Sequence, residues 1–462
     1  RPEEMLQLQQ TRLRQLLHHA AEHSPFYRNR FRGIDLDTCR LTNLPTLTKD
    51  EMMARFDDIV TDRRVNRAGI EAFLADGGNL GKYYLGRYAV CHTSGSQGQP
   101  ALVVQTRKDQ MRGFAVQFAR GHPLPKRITV LLGRLWNPVR LAVVTQQPGF
   151  YPSGAAFTYL TNARLPFLRL LRLSVFDPVE QTVAQLNAFR PQFLSGYTSS
   201  LEILAHEENA GRLRLREAGC LAQVTNLSEA LPPTSRAFIE EAFGVHVADN
   251  YSMAECMGLT NGCTARAGCH LNVDLACLEV VDGAGQPVPA GTAGSKVLLT
   301  NLYNRVQPLI RYEISDVVTL GESPCPCGSN LPHIASVAGR TKERLWIYAR
   351  GAYREVPYYL FLAGLHHYLD LAEHQVVQTG RNRFVVRVAP LPGKTLSAER
   401  VRKLVYDSVR AEGLAGVVEV GAEVVDEIRP DPGSGKRDRV KNLVGPPPGG
   451  LRAEAAVPAA RG

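Results

Sequence analysis

Apolar residues recur at helical spacing through Met5, Leu6, Leu13, Leu16, Leu17, Ala20 and Ala21, predicting a helix from Glu3 that ends at Ser24-Pro25. Phe26, Tyr27 and Phe31 supply a second, short amphipathic piece. Thr48 is placed to cap a further helix, with Glu51 completing a capping box. Asp76-Gly77-Gly78-Asn79 has turn composition. From about residue 88 the pattern becomes strand-like and then alternates. Tyr88-Ala89-Val90 and Ala101–Val104 are β-prone, and a helix is predicted over Gln105–Phe118. Strand-like runs follow at Ile128–Leu132, Leu141–Val144, Leu173–Phe176, Gln192–Leu194 and Ala222–Asn226. Helical segments at Pro178–Phe189, Ser200–Asn209 and Thr234–Phe243 lie among them. Strands alternating with helices of this length predict an α/β fold with mainly parallel sheets. Ligands in such folds sit at loops beyond the strand C-termini, here 195–199, 227–230 and 250–255.

After Asn272 the helical segments disappear. Leu278–Val281, Lys296–Thr300, Pro308–Tyr312 and Val317–Leu320 are short runs between Gly/Pro turns, predicting an antiparallel β-rich part. Beyond Gly339-Arg340 a smaller α+β unit is expected, with a strand at Phe384–Val388 and an amphipathic helix at Leu396–Glu412. Further strands fall at Val417–Val420 and Val424–Val425. The organisation expected is therefore a large domain over 1–339, a small domain over 340–444 and a Pro/Gly/Ala-rich tail, 445–462, of disordered composition.

At 462 residues the chain is long enough for two or three domains, and its 44% hydrophobic and 21% charged content is that of a soluble globular protein. No run of eighteen apolar residues and no N-terminal signal pattern occur, so a cytoplasmic location and no membrane partner are expected. The net charge of +10 would suit nucleic acid, but the arginines are dispersed and no basic block carries interleaved aromatics. An anionic small molecule accounts for the charge equally well. The nine cysteines fit free thiols or a metal better than a disulfide framework. Cys325-Pro326-Cys327-Gly328 is a knuckle-like turn, and the stretch from Cys263 through Cys269 to His270 offers two further ligands for a tetrahedral site.

Between the two β-prone runs lies Thr93-Ser94-Gly95-Ser96-Gln97-Gly98-Gln99-Pro100. Its glycines and hydroxyls suit a backbone wrapped around a phosphate chain. It lacks the Gly-Lys-Ser/Thr ending of a Walker loop.

Taken with four later motifs, this loop resembles the adenylate-forming superfamily of acyl-CoA synthetases, adenylation domains and luciferases. The phenylacetate–CoA ligase branch, which includes deazaflavin-coenzyme adenylyltransferases, is the most similar part of it. The loop matches the family's Ser/Thr-rich phosphate loop, and Asn250-Tyr251-Ser252-Met253-Ala254-Glu255 stands where Tyr-Gly-x-Thr/Ser-Glu is expected. Asp316 holds the place of a ribose-binding aspartate, Gly339-Arg340-Thr341-Lys342-Glu343 that of the hinge, and Ser434–Arg439 that of the segment carrying the catalytic lysine. The N-terminal Ser24-Pro25-Phe26-Tyr27-Arg28 and Leu44-Pro45-Thr46-Leu47-Thr48-Lys49 are similar to the branch itself.

The resemblance implies ATP-dependent adenylation of a small, aromatic carboxylic acid, release of pyrophosphate and transfer to CoA. It implies a phosphate cradle at Thr93, Ser94, Gly95, Ser96 and Gly98, and nucleotide contacts from Ser228, Glu229, Ala230, Asn250, Tyr251, Ser252, Asp316 and Arg340. Glu255 would hold Mg, Lys436 would carry the catalytic charge and Lys342 would mark the hinge. The acid pocket would involve Trp136, Ser195, Gly196 and Tyr197. Relatives with a comparable Cys/His set imply a structural Zn on Cys263, His270, Cys325 and Cys327, and the branch's homodimers imply a homodimer. Three departures stand out: Gln99 for the loop lysine, Ser252 for glycine, and Arg350-Gly351-Ala352-Tyr353-Arg354 for Arg-Gly-x-Asn. They keep an amine or hydroxyl acceptor, or a catalytically silent nucleotide-binding regulator, as alternatives.

Overall fold

The structure is a computed structural model. It describes residues 2–93, 100–121, 137–147, 149–322, 324–340, 345–349, 351–356, 358–361, 365, 371–390, 394–411, 413–430 and 437–445. The strand expected at Ile128–Leu132 and the tail beyond 445 lie outside them. Two compact units are distinguished, one formed mainly by Arg1–Leu231 and Ile239–Ala338, the other mainly by Gly339–Asp431 and the residues from Lys436 on.

In the larger unit, α1 (Pro2–His23) ends where Ser24 caps α2 (Pro25–Arg30), its side chain accepting from the Tyr27 amide. The buried face of these helices (Leu13, Leu16, Leu17, Phe26, Tyr27) packs on the antiparallel hairpin of β1 (Tyr88–His92) and β2 (Leu102–Thr106) and on residues 302–312. Thr48 caps α3 (Lys49–Ala54), accepting from the Glu51 amide at 3.2 Å. The reciprocal half of the expected capping box is replaced, because the Glu51 carboxylate turns to Arg30 at 2.6 Å.

The central sheet is parallel throughout, in the order β4 (Leu168–Ser174), β3 (Val139–Thr145), β5 (Phe193–Gly196), β6 (Gln223–Leu227), β7 (Val247–Asn250). Helices between these strands return the chain to the same edge, so the loops after β5, β6 and β7 share one side of the sheet. Beyond it, β10 (Ala276–Val281), β11 (Lys296–Asn301) and β12 (Tyr312–Ile314) pair antiparallel. A four-stranded sheet runs in the order β13 (Asp316–Leu320), β14 (His333–Arg340), β9 (Cys269–Leu271), β8 (Thr260–Gly262).

The strand expected at Pro308–Tyr312 begins only at Tyr312. Arg311 stands at φ +50°, the left-handed region that breaks an extended run. That turn lets its buried guanidinium grip Glu279 at 3.0 and 3.1 Å and also donate to the Leu44 carbonyl.

The smaller unit carries a sheet in the order β19 (Glu419–Val424), β18 (Arg383–Pro390), β17 (Leu371–Gly380), β20 (Val440–Asn442). One face of helix Ala398–Ala411 (Val401, Val405, Val409) fills its core. The two strands expected at 417–425 form the single strand β19, which pairs in parallel with β18 from Glu419 to Val424. On β17 the mostly buried Glu373 faces Arg437 at 3.1 Å. Burial pushes its carboxyl up to about 7, with Glu427 adding to the rise and Arg437 opposing it. The folded chain therefore keeps a proton there that the unfolded chain releases near its ordinary carboxyl pKa. Stability should fall as pH rises from about 4.5 to 7. Glu373→Gln should flatten that slope in urea titrations at stepped pH; an unchanged slope would refute the assignment.

Candidate active site and metal cluster

At the mouth of the β1–β2 hairpin, the Thr93 amide donates to the Ala101 carbonyl, and the Thr93 hydroxyl accepts from the Ala101 amide, both at 2.9 Å. Thr93 thus closes the hairpin at the base of the sequence-predicted cradle. Ser94, Gly95, Ser96, Gly98 and Gln99 lie outside the described residues.

Ala89 and Cys91 on β1 pack with Ala254, so the loop after β7 lies against the hairpin and carries Glu255 with it. Burial, reinforced by the nearby Glu255 charge, pushes the Cys91 thiol up to about 12. Asn250 accepts from the Gly262 amide at 2.8 Å, tying the loop to β8, while Ser252 accepts from Gln117 at 3.0 Å. These two residues brace the loop through their side chains. Tyr251 is fixed at its backbone by Thr260 and donates its phenol to Asp316 Oδ2 at 2.7 Å. Burial, with the charges of Asp316 and Glu255, holds that phenol far from ionisation. Two carboxylates distant in sequence are therefore gathered about one tyrosine.

Glu255 itself is held at its backbone. Asn301 at the end of β11 donates to its carbonyl at 2.7 Å, and the Glu255 charge, after burial, helps to hold the Tyr312 phenol far from ionisation. Sequence reasoning missed Asn301 and Tyr312. Their signal was weak, since a buried tyrosine and an asparagine at a strand end belong to any β-rich core.

At the parallel-sheet edge, Ser195 and Gly196 are buried within β5. Tyr197 is only 2% exposed, its hydroxyl accepting from the Gln146 amide at 3.3 Å and pairing with Ser153 at 3.1 Å. Its ring is packed in the interior. After β6, Ser228 adopts φ +61° and swings Glu229 back toward the helix Thr198–Asn209. There the Glu229 carboxylate accepts from the Ser199 amide at 2.8 Å and from its hydroxyl at 3.1 Å, capping the helix. Ala230 accepts from Thr198 through its carbonyl at 3.0 Å. The backbone of Arg340 ends β14. Trp136, Lys342 and Lys436 lie outside the described residues.

The four expected metal ligands meet: ligand atoms of Cys263, His270, Cys325 and Cys327 all lie within 4.8 Å of one another. Cys263 Sγ is 3.5 Å from Cys325 Sγ, and His270 Nε2 is 3.1 Å from Cys327 Sγ. Tetrahedral Zn–S bonds of about 2.3 Å set sulfurs roughly 3.8 Å apart, so three sulfurs and one imidazole at these separations fit zinc. The two turns that present them are tight. Cys263 donates its amide to the Gly268 carbonyl at 2.9 Å, and Gly328 donates to the Cys325 carbonyl at 2.8 Å. Gly268, at φ +92°, lies so close to β14 that a Cβ would collide with the Ile334 carbonyl. Strand alternation on β9 sends Cys269 the other way, into the apolar core, where burial pushes its thiol up to about 11.

No family model matches the chain. Its sequence is 26% identical over 366 residues to the phenylacetate–coenzyme A ligase of Thermus thermophilus, covering 75% of this chain and 72% of that one. Among solved structures, a 2-hydroxyisobutyryl-CoA ligase in the postadenylation state with R3-HIB-AMP matches with a TM-score of 0.67 at 21% identity, covering 90% of this chain and 85% of that one. An anthranilate CoA ligase in complex with anthranoyl-AMP matches with a TM-score of 0.54 at 17% identity, covering 76% and 65%. At those identities the structural likeness is one of fold. Together with the curated relative, it places the chain in the adenylate-forming superfamily. Within that superfamily its sequence is similar to phenylacetate–coenzyme A ligases, a second being that of Aromatoleum evansii at 24% identity over 352 residues, 75% of this chain and 72% of that one. Among the described residues no helix is long and apolar enough to cross a membrane.

Proposed function

We propose that this chain is an AMP-forming acid–CoA ligase. It joins a small carboxylic acid to AMP from ATP, releases pyrophosphate, and passes the acyl group to the thiol of CoA. The gathering of Glu255 and Asp316 about Tyr251, beside the hairpin that carries residues 94–99, supports this reading best.

In the first half-reaction a carboxylate attacks the α-phosphate, so the site must offset anionic charge and fix geometry more than furnish a nucleophile. Glu255 is the residue to hold Mg, because its carboxylate oxygen suits a hard cation. Bound there, Mg supplies neutralisation of phosphate charge. Asp316 accepts from the ribose hydroxyls, oriented by the Tyr251 phenol. Backbone amides of 94–99 cradle the departing phosphates, and Lys436 bridges acid and α-phosphate where negative charge peaks. Cys263, His270, Cys325 and Cys327 saturate a zinc ion, which leaves it a structural part. The acid is taken to be aromatic, by analogy with the substrate named for the relatives.

Pyrophosphate release measured across a panel of aliphatic and aromatic acids tests the reading, with products identified by mass after CoA is added. Silence toward every acid would overturn it. An amide or adenylylated alcohol in place of a thioester would move the acceptor. Gln99→Lys should lower the KM for ATP by up to about fivefold, the scale of one exposed ionic contact. An unchanged KM would remove Gln99 from the cradle.

A further inference from the structure

We infer that the cavity between helix α1 and the segment 38–41 is a second binding site, which takes a small organic carboxylate. Neither Glu255, Asp316 nor the β1–β2 hairpin lines it, and the inference stands apart from the ligase reading.

The cavity has a volume of about 290 Å³. Gln10, Leu13 and Arg14, spaced to share one face of α1, form one wall, and Thr38, Cys39 and Arg40 form the other. Its floor is the large N-terminal core, through the buried Leu13 and Cys277. Both walls are fixed. Gln9 ties α1 to β10 by donating to the Ala276 carbonyl at 2.9 Å. Arg14 Nη1 donates to the Leu36 carbonyl at 2.7 Å and to Cys39 Sγ at 3.4 Å. Arg311 holds the far end of the loop by donating to the Thr42 carbonyl at 3.2 Å. The site is therefore preformed, as ligand sites usually are. Its charge is one-sided: among the described residues two guanidiniums line it and no carboxylate does. The acids of the adjoining loop are engaged elsewhere. Asp35 accepts from the Thr38 hydroxyl at 2.6 Å and from the Asp37 amide at 3.0 Å, while Asp37 pairs with His18 at 2.8 Å. Neither Arg14 nor Arg40 forms an ion pair among the described residues. A guanidinium fork matches a carboxylate, and the apolar floor suits a hydrocarbon body attached to it. An apolar cavity of about 150 Å³ holds benzene, so this one has room for a benzene-sized body and its carboxylate.

Cys39 supplies the reporter, because its half-buried thiol lines the cavity. The full chain, without nucleotide, is treated with iodoacetamide across a benzoate series, and alkylation of each cysteine is followed by peptide mass. Saturating benzoate should slow alkylation of Cys39 about fivefold, as a ligand that fills the cavity covers its lining. Cys220, half-buried but outside the cavity, should react at an unchanged rate. Arg14→Gln should raise the half-protecting concentration about tenfold, the scale of a hydrogen bond to a charged group. Arg40→Gln, at an exposed position, should raise it about threefold and leave the thermal midpoint unchanged. Arg32→Gln, exposed and outside the cavity, should leave protection as in the wild type. Each variant is compared with itself without benzoate, so any change in the intrinsic reactivity of Cys39 cancels. Arg14 also braces the loop, and Arg40→Gln keeps the test decisive if Arg14→Gln fails to fold. Absence of protection at millimolar benzoate, or an unchanged half-protecting concentration in either folded variant, would overturn the site. An equal shift in Arg32→Gln would overturn it as well, by reducing the effect to net charge. Inorganic phosphate protecting Cys39 as well as benzoate does would overturn the assignment to an organic carboxylate.

Discussion

Cys325→Ser should strip the protein of about one zinc per chain and lower its thermal midpoint by roughly 4 °C. Cys325 and Cys327 occupy the turn between β13 and β14, whereas Cys263 and His270 belong to the β8–β9 hairpin. A metal bound there ties the ends of a four-stranded sheet whose neighbouring strands are short; β8 and β9 have three residues each. Without it, three thiols and an imidazole are packed together with only weak mutual hydrogen bonds to satisfy them. Loss of about 3 kcal/mol in a unit of this size corresponds to the stated shift. Metal content by plasma emission and scanning calorimetry provide the check. Cys269→Ser, on the opposite face of β9, should retain the metal. A full metal complement in Cys325→Ser would refute the four-ligand assignment.

Lys436→Ala should reduce adenylate formation by about 10²- to 10³-fold, the scale on which one preorganised charge stabilises a transition state. Thioester formation from supplied acyl-adenylate should change far less, because the phosphoryl step is already complete. ATP–pyrophosphate exchange and single-turnover thioesterification measure the two separately. Equal losses in both would assign the lysine to folding or to CoA. The residues after the lysine are firmly placed within their own unit. Gln375 donates to the Asp438 carbonyl at 2.6 Å, the Val376 amide donates to the Arg439 carbonyl at 2.8 Å, and Glu373 faces Arg437. A truncated lysine therefore leaves its anchorage intact.

Much of the architecture was legible because it rests on periodicity. The helix stop at Ser24-Pro25, the strands β3, β5 and β6 of the central sheet and the apolar stripe at Val401, Val405 and Val409 are written in local spacing, whereas β4 begins at Leu168 instead of Leu173 and β7 was not foreseen. Local spacing failed where a distant partner decides the outcome. Glu51 has the right position for a capping box, yet Arg30 claims its carboxylate. Residues 308–311 are apolar enough for a strand, yet the ion pair with Glu279 holds Arg311 in a left-handed turn. The metal ligands illustrate both sides. A Cys-Pro-Cys-Gly turn is visible as a candidate, but the choice of His270 over Cys269 depends on which face of β9 meets the turn. Tyr312 and Asn301 were invisible for the same reason, since nothing near them in the chain points to Glu255.

The cap that Glu229 places on the helix Thr198–Asn209 bears on substrate choice. A helix start at the carboxyl edge of a parallel sheet is ordinarily a resting place for phosphate. Here an internal carboxylate already sits on the Ser199 amide, so that positive end is neutralised from within. A second phosphate arriving at this edge would meet a negative charge instead of a cradle. Phosphorylated ligands should therefore be disfavoured at this helix start.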